Sequence, residues 1–402
     1  MKILYISGLH PLPNNHSAGI FITNRLVGLK KAGIDFLSVV PVDQRDLFTR
    51  SLLSLLRKGK SINIWPTSLE VSGIQYLFYP VKMNILSRFM EYEKNSKWFF
   101  KEIKKNVDVK SFSAVHAHFV YPHGHIAYLL SKEYRLPYVV TAHGNDVLVL
   151  PKKYPKIIPH IVNSLENAWV SIFVSQALLE SAKALGYSGK NGVVIPNGVD
   201  IERFTILDKK KIREELGIEK NAKVIGFVGS IIPVKRADRF FEIFSLIEED
   251  IEDLTFLVVG DGLLLASLKK QFSKKKNVIF AGRVSPEEVP YYLNAMDLLI
   301  LPSRKEGFGC VALEANACGI PVLGARVGGI PESVEDGGRL VEDGIDFEKR
   351  FSLEAIEILK RKVFDSGSLR ERATTYSWDC IVKKEIAIYN KITGHEDKES
   401  GL

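Results

Sequence analysis

The sequence predicts an α/β protein built from two doubly wound, Rossmann-like parallel sheets that are covered by helices on both faces. Short and almost entirely apolar runs, such as YVVTA at Tyr138–Ala142 and VIGFV at Val224–Val228, alternate with longer helical stretches. Such runs are typical of parallel strands that are buried on both faces. Several of these runs end in glycine, at the strand end where doubly wound folds bind their ligands.

The apolar runs form two series along the 402 residues, a length that allows two hydrophobic cores. We therefore predict a first domain over residues 1–200, a linker over 201–221, a second domain over 222–375 and a disordered tail over 394–402. Two such domains facing each other leave a cleft, where we expect the function. The runs of the first domain are KILYIS, FLSVVPV, AVHAHFV, YVVTAHG, WVSIFVS and GVVIPNG, and those of the second are VIGFVGS, TFLVVGDG, NVIFAG, DLLILPS and PVLGARVGG.

Composition places the chain among ordinary globular proteins, with 46% hydrophobic and 25% charged residues. The three cysteines include no Cys-x-x-Cys pair, which argues against a zinc ribbon and fits a reduced compartment. The first residues, MKILYISG, enter a strand pattern directly and show no signal-peptide pattern. We therefore expect a cytoplasmic protein.

Charge is distributed unevenly: residues 1–200 carry a net +11, and the remainder carries −3. A basic half is compatible with nucleic acid, an anionic membrane or an acidic substrate. No nucleic-acid-binding module is recognisable, so we expect no nucleic-acid partner. The segment Arg45–Lys60 mixes paired leucines with five cations, and it predicts either an interfacial membrane helix or a helix packed on its own sheet with a basic outer face.

Two acidic residues stand eight positions apart in EGFGCVALEANACG, at Glu306 and Glu314. Glu306 follows the strand-like run DLLILPS, and Gly307 and Gly309 allow a sharp turn into a helix whose first amide groups can bind an anion. Eight helical residues span about 12 Å, which matches the distance from a sugar to a ribose across a diphosphate. The alternative is a surface acid and a helical glutamate that pairs with a lysine.

A second loop of the same kind carries Lys235 and Arg236 after the run VIGFVGS. A cation at this position could neutralise the charge that develops on a departing diphosphate. A lone lysine is otherwise most often a solvated surface residue.

Four histidines occur within ten residues, at His116, His118, His123 and His125. His116 and His118 alternate along a strand and so share one face of the sheet. Metal binding is one interpretation and a structural strand is the other, and the absence of nearby acidic or cysteine partners favours the second. No Asp-x-Asp occurs in the chain, so we predict chemistry without a metal or other cofactor.

Together, FVGSIIPVK, VVGDG and the segment from FAGRVS to IPESV strongly resemble the retaining glycosyltransferases of family 4, which have the GT-B fold. HAHFVYPHGHIAYLL, TAHGNDV and VIPNGVDIERF extend the resemblance to residues 2–393. It implies that a nucleotide-sugar donor binds the second domain and an acceptor the first. It also implies that a helix over 376–393 crosses back onto the first domain.

The resemblance also implies roles for individual residues. Glu306 contacts hydroxyls of the donor sugar, Glu314 binds the ribose and Lys235 binds the diphosphate. His143 lies beside the sugar near the reacting carbon, so His143, Glu306 and Lys235 are the catalytic candidates. Asn145, Asp146 and Asn197 are assigned to the acceptor or the cleft. The donor-binding set comprises Gly19, Ser230, Lys235, Arg236, Arg283, Val284, Glu306, Gly307, Phe308, Gly309, Cys310, Val311 and Glu314.

The chain departs from the family at Ser230, where the family usually has an arginine that contacts phosphate. The leaving group then has one cation fewer, and Lys235, helped by Arg236, carries more of the charge stabilisation. The prediction is a metal-independent, retaining glycosyltransferase for lipid-linked, capsular or other cell-surface polysaccharide, with a possible anionic membrane partner. A nucleotide-sugar epimerase of the same fold and a non-catalytic binding protein are the alternatives.

Overall fold

The computed structural model describes residues 1–12, 18–45, 66–83, 95–361 and 363–394. The chain forms two compact units: Met1–Ile195 together with Val382–Leu402, and Pro196–Ile381. Apart from Arg45, the segment expected to be a basic helix, Arg45–Lys60, lies outside the described residues. The expected tail, 394–402, also lies outside them apart from Gly394.

The first unit is built on an eight-stranded sheet in the order β3-β4-β2-β1-β5-β6-β7-β8. Every neighbouring pair is parallel except β3 and β4. The central strands are buried on both faces, which explains their apolar sequence. The strands are β1 (Lys2–Ser7), β2 (Asp35–Arg45), β3 (Ser68–Val71), β4 (Ile74–Met83), β5 (Ala114–His118), β6 (Tyr138–Ala142), β7 (Val170–Phe173) and β8 (Gly192–Val194).

The antiparallel hairpin of β3 and β4 is not predicted by the apolar pattern of the sequence. Its two-residue turn, Ser72–Gly73, has positive φ at both residues (53° and 73°), as tight hairpin turns require. β3 forms the sheet edge and buries none of its four residues, so it lacks the apolar run by which the other strands were predicted. The first sheet is therefore parallel as predicted, apart from this hairpin at its edge.

Helices of the first unit connect its parallel strands. They are α1 (Ile20–Lys31), α2 (Asn95–Asn106), α3 (His125–Tyr134), α4 (Leu150–Lys153), α5 (Ile158–Glu166) and α6 (Gln176–Ala184).

The second unit has a wholly parallel six-stranded sheet in the order β11-β10-β9-β12-β13-β14. Its strands are β9 (Lys223–Val228), β10 (Leu254–Val259), β11 (Val278–Gly282), β12 (Leu298–Leu301), β13 (Val322–Ala325) and β14 (Gly338–Val341). Its helices are α7 (Lys209–Glu215), α8 (Phe240–Glu248), α9 (Leu265–Gln271), α10 (Val289–Ala295), α11 (Cys310–Ala317), α12 (Ile330–Val334), α13 (Phe347–Arg361) and α14 (Ser366–Thr374).

Residues 201–221, which we expected to form a linker, are part of the second unit. The charged sequence DKKKIREE suggests a solvated segment, but the guanidinium of Arg213 in α7 is buried. It donates to the backbone oxygens of Ala295 at 2.8 Å and Ala222 at 3.1 Å, and it pairs with Asp297 at 2.7 Å. These contacts attach α7 to the sheet.

The last helix, α15 (Trp378–Thr393), begins in the second unit and continues in the first from Val382 onward. Within the first unit, its Glu385 pairs with Arg25 of α1 at 2.7 Å, and both side chains are fully buried. The hydroxyl of its Tyr389 hydrogen-bonds Nδ1 of His116 in β5. At 16 residues, α15 is the longest described helix, and no helix in the described ranges is long and apolar enough to cross a membrane.

Candidate active site

Strand order places two of the predicted loops side by side in the second unit. Starting from β9, the sheet continues through β10 and β11 on one side and through β12 to β14 on the other. Because neighbouring parallel strands end at the same edge, the loops after β9 and β12 meet where the order reverses. Doubly wound folds bind their ligands at such switch points.

Lys235 and Glu306 form an ion pair across these two loops. Lys235 closes a short 3-10 turn, Pro233–Lys235, after β9, and Glu306 follows β12. Their side chains are 22% and 17% exposed. The site therefore holds a cation and a carboxylate next to each other, partly shielded from water, and a ligand that carries both phosphate and hydroxyl groups can bind to both.

The turn after Glu306 leads directly into a helix start. Gly309 has φ 93° and ψ 55°, a left-handed conformation that glycine adopts without strain, and α11 begins directly after it. The first amide groups of a helix have no partner within the helix, and the helix dipole makes this end positive. No acidic side chain occupies the first turn of α11. Phe308 is buried and anchors the turn.

Gly328 and Gly329 support this turn, although neither is among the residues predicted for the site. The amide of Gly329 donates to the backbone oxygen of Glu306 at 3.1 Å. A Cβ atom at Gly328 would lie 2.1 Å from that same oxygen, and one at Gly329 would lie 2.3 Å from the oxygen of Gly307. The Gly-Gly pair in ARVGGIPESV was the available signal, since adjacent glycines often mark a close approach of two backbone segments.

Glu314 lies one helical turn into α11 and is partly buried. Burial raises the pKa of its carboxyl to about 7, while Arg203 lowers this pKa and Asp200 raises it. Arg203 and Asp200 pair with each other at 3.3 Å. A carboxyl group in this state changes its charge near neutral pH and can accept hydrogen bonds from hydroxyl groups when it is ionised.

Asn197 lies at the same helix start. Its buried side chain hydrogen-bonds the thiol of Cys310, the first residue of α11. Burial, followed by the charges of Glu314 and Glu306, raises the pKa of the Cys310 thiol to about 12, so this thiol stays protonated. The structure thus brings together Asn197, Cys310 and both predicted glutamates.

Arg236 differs from the expectation that it assists Lys235. Its buried guanidinium pairs with Asp343 and, at 3.3 Å, with Glu348, and it stacks on the ring of Phe347 at 3.8 Å. Two carboxylates therefore compensate its charge. The physical reason is the left-handed backbone at Arg236 (φ 58°), where the chain turns between Lys235 and the following helical segment.

Three other predicted donor residues of the second unit lie at exposed or half-buried positions. Ser230 is exposed, and Val284 is half-buried. Arg283 is 63% exposed and lies 3.9 Å from Asp261, a distance at which an exposed pair contributes little.

His143, in the first unit, lies in a buried aromatic environment. Its Nε2 hydrogen-bonds Nδ1 of His118 at 2.7 Å, and the rings of Phe21 and Phe119 flank it with centroids at 4.9 Å. Burial lowers the pKa of His143 well below its usual value, and neighbouring positive charge adds to this effect. The imidazole is therefore neutral. Its buried Nδ1 has no hydrogen-bond partner among the described residues.

Asp146 organises the turn that carries His143. Its buried carboxylate accepts hydrogen bonds from the backbone amides of Val120 and Gly144, each at 2.8 Å, and of His143 at 3.2 Å. The resemblance implies a place for Asp146 at the acceptor or the cleft, whereas in the structure these three amides occupy its oxygens. Its neighbour Asn145 is exposed.

Gly19 also lies in the first unit, at the start of α1, with φ 69°. A Cβ atom there would lie 3.0 Å from the amide nitrogen of His10 and from the carbonyl carbon of Leu9. The loop after β1 therefore packs directly on the Gly19 backbone.

The clustered histidines contact protein groups. His116 uses both ring nitrogens, with Tyr389 and with Thr141 at 2.8 Å, and Nδ1 of His125 hydrogen-bonds Ser96 at 2.8 Å. Within the ranges that the structure describes, no group of three or more His, Cys, Asp or Glu side chains is arranged to hold a metal ion.

Two doubly wound α/β units are the architecture of the GT-B fold, and the second unit has a Lys–Glu pair and a helix start at its switch point. Sequence comparison gives the class of protein. Residues 208–377 match the model for "Glycosyl transferases group 1", and residues 29–203 match the model for "Glycosyltransferase Family 4". The chain therefore belongs to the group 1, family 4 glycosyltransferases.

Named relatives agree with this assignment. The chain is 30% identical to the "Putative teichuronic acid biosynthesis glycosyltransferase TuaC" of Bacillus subtilis, over 82% of each chain. It is 32% identical to the N-acetyl-alpha-D-glucosaminyl L-malate synthase of Bacillus anthracis, over 60% of this chain and 63% of that protein. The fold is shared with Anabaena HepE, crystallised in complex with UDP (TM-score 0.73, 20% identity, covering 97% of this chain and 100% of HepE).

Proposed function

We propose that this protein transfers a sugar from a nucleoside-diphosphate sugar to an acceptor hydroxyl, with retention of configuration, during the synthesis of a lipid-linked, capsular or other cell-surface polysaccharide. The observation that carries the proposal is the Lys235–Glu306 pair beside the open start of α11. The naming of TuaC for teichuronic acid biosynthesis supports the polysaccharide role. HepE was also crystallised with UDP-glucose, which supports a nucleotide-sugar donor.

The donor binds through three groups of the second unit. Lys235 and the first amides of α11 hold the diphosphate, and Glu306 accepts hydrogen bonds from the sugar hydroxyls. Glu314 accepts hydrogen bonds from the ribose. When the diphosphate arrives, the Lys235 ammonium exchanges its Glu306 partner for a phosphate oxygen, and Glu306 becomes available to the sugar.

The reaction needs stabilisation of the departing diphosphate and of an oxocarbenium-like sugar. The bond between the anomeric carbon and the phosphate oxygen breaks, and a bond to the acceptor oxygen forms on the same face. The acceptor proton passes to the leaving phosphate oxygen. Glu306 is not a covalent nucleophile in this scheme, and no metal takes part. Preorganised charge at Lys235 is the main protein contribution.

Lys235 carries an unusually large share of the charge stabilisation. Ser230 replaces the arginine that is usual in the family, and the guanidinium of Arg236 is committed to Asp343 and Glu348. Lys235 and the α11 amides are thus the positive groups on which the leaving group depends.

His143 contributes from the first unit as a neutral hydrogen-bonding group. Its pKa is lowered by burial, so it does not add a charge to the reaction. The family resemblance assigns it a place beside the sugar, near the reacting carbon. The hydrogen bond between its Nε2 and Nδ1 of His118 fixes the ring orientation.

We further propose that the protein acts in the cytoplasm at the inner face of the membrane, where it meets its acceptor. Two observations support this proposal. Residues 1–200 carry a net charge of +11, and α2 exposes Lys97, Lys101 and Lys105. Electrostatic attachment predicts binding to vesicles that contain anionic lipid and release by salt. Binding that is indifferent to salt and lipid charge would contradict this attachment.

The test is incubation of the purified protein with UDP-, GDP- and ADP-sugars, with and without a lipid-linked acceptor. Sugar attached to the acceptor with retained anomeric configuration supports the proposal. Interconversion of free donors without an acceptor identifies an epimerase. Donor binding by calorimetry without transfer or slow donor hydrolysis identifies a binding protein.

A further inference from the structure

One arginine connects the two loops that carry the proposed donor-binding pair. Arg304 lies in the loop after β12, two residues before Glu306, and it contacts the loop of Lys235 on both sides of that lysine. We propose that Arg304 is a positioning residue, which holds the Lys235 backbone where its ammonium meets the donor diphosphate. This inference rests on the proposed function.

The contacts begin on the N-terminal side of Lys235. The backbone amide of Arg304 donates to the oxygen of Val234 at 2.8 Å. The Nη1 atom of its guanidinium donates to the oxygen of Pro233 at 2.6 Å. Both acceptors belong to the turn that ends at Lys235.

On the C-terminal side, the same guanidinium binds Asp238 through two parallel hydrogen bonds, at 2.6 and 2.8 Å. Planar guanidinium and carboxylate groups form this bidentate pair with defined geometry, which an ammonium group cannot reproduce. The hydrogen bond from Arg304 is the largest factor that lowers the pKa of Asp238, so the carboxylate is charged near neutral pH.

The consequence is a loop that is fixed while its central side chain remains exchangeable. Arg304 holds Pro233, Val234 and Asp238, and the buried pairs of Arg236 hold the next residue. The ammonium of Lys235 itself contacts Glu306, a partner that a diphosphate can replace. A prepositioned cation needs no loop reorganisation when charge develops, and misplacement by about 1 Å can cost about 100-fold in rate.

Arg304 contributes little to overall stability, because its side chain is 36% exposed and exposed pairs are weak. Its role should therefore appear as local order and function rather than as a change in melting temperature. Arg361 is a matched control: it is an exposed arginine of the same unit that pairs with Glu357 at 2.8 Å, and it lies in α13, away from the Lys235 turn in sequence.

The first experiment needs no ligand. Hydrogen–deuterium exchange of the full chain should show faster exchange in the peptide spanning residues 230–240 for Arg304→Ala than for wild type, with Arg361→Ala unchanged. Asp238→Ala should resemble Arg304→Ala, and the double variant should be no faster than Arg304→Ala, because the two residues form one interaction. Unchanged exchange in Arg304→Ala would overturn the inference.

The second experiment uses transfer from the donor that the wild type accepts. Arg304→Ala should lower kcat by about 10- to 100-fold with a smaller effect on donor KM, and Arg304→Lys should recover only part of this loss. Full activity in Arg304→Ala, together with faster local exchange, would also overturn the inference that Arg304 positions Lys235. A wild type that transfers no sugar and binds no UDP, GDP or ADP would refute the proposed function instead, and the exchange experiment would still test the loop.

Discussion

The ammonium of Lys235 and the carboxylate of Glu306 form an ion pair although the two residues are 71 positions apart in sequence. They meet because β9 and β12, the strands before their loops, are parallel neighbours at the point where strand order reverses. The pair keeps two opposite charges partly buried at low cost until a ligand separates them. The proposed donor site therefore exists in the free protein as a neutral pair.

Replacement of Lys235 by alanine should lower sugar transfer by about 100-fold or more, because it removes the side-chain cation that faces the leaving diphosphate. Transfer of radiolabelled sugar to the acceptor measures the effect. Lys270→Ala, at an exposed position in α9, is the matched control and should keep wild-type activity. Undiminished transfer in Lys235→Ala would remove this residue from the mechanism.

Replacement of Glu314 by glutamine should stabilise the free protein and weaken donor binding. The folded-state pKa of Glu314 is about 7, above the ordinary glutamate value. The folded state therefore holds more protons than the unfolded state in the window up to pH 7, so stability falls as pH rises through it. At pH 8, Glu314→Gln avoids this cost and should be more stable by about 1–3 kcal/mol.

Urea unfolding at pH 8 and pH 4 measures this difference. Most of the stabilisation should disappear at pH 4, where the glutamate is protonated in the folded protein and increasingly so in the unfolded one. Calorimetry should show weaker donor binding to Glu314→Gln at pH 8, since the variant lacks the charged acceptor for ribose hydroxyls. A stability gain that is equal at both pH values would show that the pKa of Glu314 is not raised.

Replacement of Gly328 by alanine should disturb the Glu306 turn, whereas the same change at Gly217 should not. Both glycines have positive φ, 53° and 66°, so each variant should lose about 1 kcal/mol through backbone strain. Only at Gly328 does the new Cβ meet the oxygen of Glu306, while nothing lies within 4 Å at Gly217. Donor affinity, measured by calorimetry, should therefore fall in Gly328→Ala alone. Equal affinity in the two variants would contradict the supporting role of Gly328.

Loss of either partner of the buried Arg25–Glu385 pair should destabilise the first unit by about 3–5 kcal/mol, because the remaining charge stays buried. Replacement of both, by Arg25→Met with Glu385→Leu, should cost less than either single change to alanine. Thermal unfolding of the three variants tests this order. Lys183→Ala, which breaks an exposed pair with Glu180, should change stability by less than about 0.5 kcal/mol. A double variant less stable than both singles would contradict the expectation.

Local sequence was sufficient to predict the two sheets and the position of the Glu306 turn. Buried parallel strands are nearly all apolar, so their pattern is strong, and the glycines around Phe308 indicate a turn into a helix. The hairpin of β3 and β4 could not be predicted in this way, because the edge strand β3 has no run of buried apolar residues. Residues 201–221 were mistaken for a linker because the buried Arg213 is surrounded by exposed lysines and glutamates in sequence.

Side-chain partners were the part that sequence could not supply. Lys235 and Arg236 are adjacent cations, yet one faces Glu306 and the other faces Asp343 and Glu348. The left-handed backbone at Arg236 directs the two side chains apart. An arginine at this position does not indicate such a conformation in the sequence. Contacts such as Arg304 with Asp238 depend on which strands are neighbours, so they appear only once the sheet order is known.

A crystal structure of the protein with its bound donor tests the central claim most directly. The account predicts that the Glu306 carboxylate contacts the sugar hydroxyls, that Glu314 contacts the ribose and that the Lys235 ammonium has left Glu306 for the diphosphate. A donor bound elsewhere, or one bound here while Lys235 remains paired with Glu306 and both carboxylates point away from the ligand, would contradict it.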